Sequence, residues 1–166
     1  DARRHGVEVR PVDVLHSEVE SSLERRADGE AAIRLGFDRI KGMDLEVAER
    51  IADWRKSLPE GGRGTASLKR RLIRDTGISR EQMEVLAAAG ALRGLSGHRH
   101  QAFWDAAGVE TAMPVLGRPQ FSEGVPLLTT PTEGQDIVAD YSSLRLTLGR
   151  HPLALLQLLD YLMLGQ

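Results

Sequence analysis

The 166-residue chain contains no cysteine. That excludes disulfides and thiolate metal sites, and it is the usage expected of a cytoplasmic protein. Aromatic residues make up only 4% of it, which leaves few platforms for base stacking. The two tryptophans, Trp54 and Trp104, stand in helical sequence, where half-buried core is the ordinary role. No apolar run reaches membrane-spanning length and no signal-peptide pattern is present, so no membrane partner is expected. An excess of positive charge is missing too. The net charge of −2 excludes a uniformly basic nucleic-acid-binding domain, so contact with nucleic acid has to come from a local patch. Nucleophile motifs are absent, and Gly61-Gly62-Arg63-Gly64 lacks the Gly-Lys-Ser/Thr end of a phosphate-binding P-loop. His98 and His100 are one residue apart. On a helix that sets them about 200° apart, too far round to share a metal.

The most informative stretch runs from Gly36 to Ile51. It reads as a short helix, a tight turn at Gly42, and a second helix with Val47, Ala48 and Ile51 on one face. Such a helix-hairpin-helix points backbone N–H groups outward at a helix start, where they and the helix dipole favour an anion. The anion of interest is a DNA phosphate, and such a grip carries no sequence code. The usual turn is glycine, apolar, glycine. Gly42 and Met43 fit, but Asp44 replaces the second glycine. Aspartate tolerates unusual backbone and is a good N-cap, yet its carboxylate repels phosphate unless turned inward. The candidate contacts here are Ile40, Lys41, Gly42, Met43 and Asp44.

A second, degenerate hairpin follows. Ser67 to Asp75 is expected to be helical, Thr76-Gly77-Ile78 to turn, and Ser79 to cap the next helix, with Gln82 completing a capping box. Met83, Leu86 and Ala87 form that helix's apolar face, and Gly90 ends it. Between Arg50 and Arg80 there are nine basic residues against three acidic ones. A charge run is ordinarily a solvated face, but beside a hairpin the phosphate-binding reading gains weight. Arg63, Lys69, Arg70, Arg74, Gly77 and Arg80 join the candidate DNA contacts.

The expected fold is mainly α, a tandem helix-hairpin-helix domain with a small N-terminal β segment and a C-terminal linker plus helix. Val7 to Val14 alternates as a strand does, with Pro11 marking an edge. Ser21–Arg25 and Glu30–Leu35 flank the hairpin turn Asp28-Gly29. Leu45 to Arg55 reads as helix, and so does His98 to Ala107, with Ala102, Phe103 and Ala106 inward. Residues 108–135 are punctuated by proline and glycine and read as a linker. Gln135 to Tyr141 is helical, and His151-Pro152 starts a last, almost wholly apolar helix. The domain boundaries expected are 1–32, 33–107, 108–135 and 136–166.

Several phrases, in order, resemble the C family of bacterial DNA polymerases, the alpha subunit of DNA polymerase III, and most of all its error-prone, damage-inducible paralogue. They are Ala2-Arg3-Arg4-His5-Gly6-Val7-Glu8-Val9-Arg10-Pro11-Val12-Asp13-Val14, Ile33 to Gly42, Leu86 to Leu92, His98 to Trp104, Asp140-Tyr141, and Gly149 to Leu153. Together they cover nearly the whole chain, which reads as an excerpt of a longer protein. The resemblance implies the end of the fingers region up to about residue 32, then a hairpin domain holding duplex DNA behind an active site that lies upstream. It implies magnesium in that active site but no cofactor in this piece. Two-metal phosphoryl transfer needs closely placed carboxylates. No Asp-x-Asp occurs, and Asp13, Asp136 and Asp140 read as structural or exposed groups.

Replicative members carry a clamp-binding peptide after the hairpins. The counterpart here, around Met113, Val115 and Leu116, lacks the glutamine and the phenylalanine of that peptide, so it is a weak clamp site. Two readings follow. One is a non-catalytic segment that grips the DNA backbone of a translesion polymerase. The other is a protein-interaction module recruiting the sliding clamp or mutagenesis accessory proteins, with vestigial DNA contact.

Overall fold

The computed structural model describes residues 5–58, 65–102 and 129–157; the side chains of 65–67 are not described. Three short strands come first, β1 (Glu8–Arg10), β2 (Ser22–Arg25) and β3 (Ala31–Arg34). β3 is central, pairing antiparallel with β2 and parallel with β1, so that Leu23 and Val9 both lie opposite Ile33. The β2–β3 hairpin closes at Asp28-Gly29 as its sequence predicts. Gly29 takes φ +89°, and the Asp28 carboxylate accepts from the Glu30 N–H at 3.1 Å. β1 is shorter than the alternation of residues 7–14 suggested. It stops at Arg10, before Pro11, and Val12 and Val14 reach the core from a turn. The sheet is laced by charge. Glu24 accepts from Arg34 at 2.8 Å and from Arg10 at 2.7 Å, and the Arg34 guanidinium first, Arg10 second, hold its carboxyl below the ordinary range.

A 3-10 turn at Phe37–Arg39 leads into α1 (Leu45–Lys56). Gly36 precedes it because nothing larger fits. A Cβ there would lie 2.3 Å from the backbone carbon of Glu20 and 2.5 Å from the Ser21 nitrogen. α2 (Thr65–Thr76) and α3 (Arg80–Ala88) form the second hairpin, and α4 (Arg93–Ser96) is a single turn beyond it. α3 ends in a Schellman motif at Gly90, φ +70°: the Gly90 N–H reaches the Ala87 carbonyl and the Ala91 N–H that of Leu86.

α1 buries Val47, Ala48, Ile51, Ala52 and Trp54, and α3 buries Met83, Leu86 and Ala87. All of these but Ala52 join Val12, Val14, Leu35, Phe37, Leu72, Ile78, Leu92 and Leu144 in one hydrophobic cluster. Each hairpin alone would leave its apolar stripe in water, and their mutual burial is what makes the pair stable. Trp54 is core, as its helical context implies, at 5% exposure. The architecture is mainly α with a small β part, as expected. No described helix is long and apolar enough to cross a membrane.

The next long helix spans Glu133–Leu144, starting two residues earlier than proline and glycine content suggested. Its start was legible: Thr132 and Gln135 form a complete capping box. Buried Arg99 docks it, binding the carboxylates of Asp136 and Asp140 together. These two aspartates are therefore structural, as expected. No group of three or more histidine or acidic side chains that could hold a metal ion occurs among the described residues. His98 departs from expectation. It precedes the helical residues 99–102 instead of lying within them, its Nδ1 accepts from the Gln101 N–H at 3.3 Å, and its ring meets that of His100 edge to face at 6.2 Å. The separation of about 200° assumed a helix that had not yet begun. Residues 152–157 are helical after His151. Phe103, Trp104, Ala106, Met113, Val115, Leu116, most of the expected linker and the end of the last helix lie outside the described residues.

Candidate nucleic-acid interface

The two turns repeat one local design. Gly42 takes φ +80° and Gly77 φ +61°. In this left-handed region glycine avoids the penalty that a Cβ imposes. An apolar residue follows and points inward, Met43 part-buried and Ile78 at 4% exposure. Then comes an N-cap. The Asp44 carboxylate accepts from the Glu46 N–H at 2.9 Å, and the Ser79 hydroxyl accepts from the Gln82 N–H at 3.2 Å. Asp44 thus turns its charge onto its own helix start, where a carboxylate is stabilising.

The surroundings of the turns differ. Between residues 38 and 50 there are three basic and four acidic side chains; between 69 and 84 there are five basic and three acidic. Around the first turn, Lys41 is exposed, its N–H donating to the Ser143 carbonyl at 2.7 Å, and Ile40 is buried. Around the second, Arg74 and Arg80 are exposed and paired within their own unit, Arg74 with Asp75 at 2.7 Å and Arg80 with Glu84 at 2.9 Å. Exposed pairs of this kind are weak and exchange readily for another anion. Arg70 is exposed and Lys69 part-buried on α2, roughly two helical turns before Gly77. Arg63 lies outside the described residues.

The basic window does not form one patch. Arg55 is drawn onto the Ser17 carbonyl and the Glu18 carboxylate, and Lys56 lies 3.8 Å from Glu18. Arg50 spans the hairpins, its Nε donating to the Thr76 carbonyl at 3.0 Å.

One contact escaped the sequence. The expected capping box at Ser79 is only half formed. The Gln82 side chain does not return to Ser79; it crosses to the first turn, where its oxygen accepts from the Asp44 N–H at 3.0 Å and its nitrogen donates to the Gly42 carbonyl at 3.1 Å. Val85, one helical turn on, stands under Gly42. The S-x-x-Q signal was present, but a neighbour in space competed for the glutamine.

Two turns with glycine at positive φ, each opening a capped helix and bridged by Gln82, define a tandem helix-hairpin-helix unit. The family model described as "Helix-hairpin-helix motif" matches residues 6–102, and the chain belongs to that family. It is also similar over 95% of its length to proteins named error-prone DNA polymerase. Identity is 47% with that of Alkalilimnicola ehrlichii, 41% with that of Methylococcus capsulatus and 47% with that of Teredinibacter turnerae. The chain spans only 15–16% of the length of the first two of these relatives. These names agree with the resemblance read from the sequence, including the error-prone branch.

Proposed function

We propose that this chain is the non-catalytic segment of an error-prone, translesion DNA polymerase that grips duplex DNA by its backbone, behind the active site and without sequence preference. The observation that carries the reading is the pair of glycine turns presenting two helix starts from one shared hydrophobic cluster. Support also comes from the exposed arginines beside the second turn and from family membership. Lys41, Gly42, Met43 and Asp44 would meet the duplex on one side, and Gly77, Arg74 and Arg80 on the other, with Lys69, Arg70 and Arg63 adding charge. Polymerisation and its magnesium would belong to the rest of a cytoplasmic enzyme. The sliding clamp and mutagenesis accessory proteins are the competing partners. That alternative draws on the acidic surroundings of the first turn.

The test is a titration of a mixed-sequence duplex at several salt concentrations. Binding should be weak, with a dissociation constant on the order of 10⁻⁴ to 10⁻⁶ M at physiological salt, and should weaken steeply as salt rises. Lys41→Ala and Arg80→Ala should each lower the salt slope by about one. Affinity indifferent to salt would sink the reading, and clamp binding without duplex binding would favour the alternative. The chain alone should extend no primer.

A further inference from the structure

Resting on the DNA-binding reading, we infer that Gln82 is the positioning residue that decides which hairpin offers its turn amides to phosphate. A capping glutamine has a local target, the N–H of its own cap residue. Here that target is Ser79, and Gln82 leaves it. Both ends of its amide are used on the first turn instead, the oxygen on the Asp44 N–H and the nitrogen on the Gly42 carbonyl. The orientation is self-consistent, since an N–H needs the amide oxygen and a carbonyl needs its NH₂.

The consequences for the two turns are opposite. On the first, the Lys41 N–H is taken by Ser143, that of Met43 by Ile40, that of Asp44 by Gln82 and that of Glu46 by the Asp44 carboxylate, while no acceptor for those of Gly42 and Leu45 is found among the described residues. A phosphate arriving there would have to displace a neutral amide already satisfied at both ends, beside a carboxylate. On the second, the Gly77 N–H is taken by Ile73 and that of Gln82 by the Ser79 hydroxyl, while no acceptor for the Ser79 N–H is found among the described residues. One side chain thus closes the cap amide of one turn and leaves the equivalent amide of the other open. At that position the first hairpin withholds its N–H and the second offers one to phosphate.

The test uses amide spectra of the 166-residue chain with and without a mixed-sequence duplex, in wild type, Gln82→Ala and Gln82→Glu. In wild type the Ser79 and Arg80 amides should shift with DNA while that of Asp44 stays still and exchanges slowly with solvent. Gln82→Ala should speed Asp44 exchange by about tenfold, the loss of one hydrogen bond of ordinary net strength, and let that amide respond to DNA. Gln82→Glu retains an acceptor and should restore protection. Melting temperature guards against simple unfolding. An Asp44 amide that moves with DNA in wild type as far as that of Ser79, or exchange unchanged in Gln82→Ala, would overturn the assignment while leaving DNA binding intact. Duplex that shifts no turn amide at all would overturn the DNA-binding reading and this assignment with it.

Discussion

In the first hairpin Gly42 leads through Met43 to an aspartate cap, and the turn is held from outside by Gln82 and Ser143. In the second, Gly77 leads through Ile78 to a serine cap; its glycine N–H is bonded within α2, and Arg50 from α1 takes the Thr76 carbonyl. Nearly the same backbone therefore stands in two environments, one acidic with its cap amide bonded by Gln82, the other basic with its cap amide left open. A turn motif fixes where amides point. Whether they remain available is decided by side chains from elsewhere in the fold.

The sharpest way to separate the two units lies just upstream of the first. Gly36→Ala should cost about 3 kcal/mol or more in chemical denaturation, because backbone, not a yielding side chain, occupies the space. The residue at the same offset before Gly77 is Arg71, which makes a 3.6 Å ion pair with Asp75. Arg71→Ala should cost about 1 kcal/mol at most. Comparable losses would mean that the entry to the first hairpin relaxes.

Gly42→Ala and Gly77→Ala come next. Each should cost about 1–2 kcal/mol for a left-handed residue carrying a Cβ. The space beside Gly77 is empty and the nearest atom to Gly42 is a Val85 methyl at 3.9 Å, so sterics should not separate the two. A clear inequality in melting temperature would show one turn changing conformation to escape the strain.

The caps should cost less and split the functions. Asp44→Ala and Ser79→Ala should each lose about 1 kcal/mol. If Asp44 serves its helix only, removing it should leave duplex affinity unchanged; a gain would mean that its carboxylate had been repelling phosphate.

The smallest effect concerns acid. The Arg74 guanidinium, by hydrogen bonding, holds the Asp75 carboxyl below its ordinary value. A folded-state value below the unfolded one gives stability that is present above the unfolded value, near 3.9, and lost as pH falls through the lower one. Asp75→Asn should therefore flatten the fall of melting temperature slightly below about pH 4.

Much of this fold was legible because its instructions are local. Gly42, Gly77, Asp44, Ser79 and Gly90 act within a few residues of themselves, and helical periodicity marked α1 and α3. The Thr132–Gln135 box obeyed the same rule and was obscured by surrounding prolines and glycines. What stayed hidden depends on meetings between distant segments. β1 is three residues long and pairs directly with β3, the strand after next in the chain. Arg55 looked like part of a basic patch and instead anchors α1 to Ser17 and Glu18. Gln82 followed the sequence rule with its N–H and broke it with its side chain. Of the candidate interface, residue types and turn positions could be read in advance; the difference in availability between the two turns could not.

The bond from the Lys41 N–H to the Ser143 carbonyl has a consequence in time. A ribosome adds about 5–20 residues each second, so Ser143 is made roughly 5–20 s after Lys41. Gln82 arrives sooner, in less than half that interval. The Gly77 amide, by contrast, finds its partner Ile73 only four residues behind it, as soon as both have emerged. The earlier-made hairpin is thus the later one to be finished, and through the seconds between Gln82 and its own local bonds keep its turn in shape.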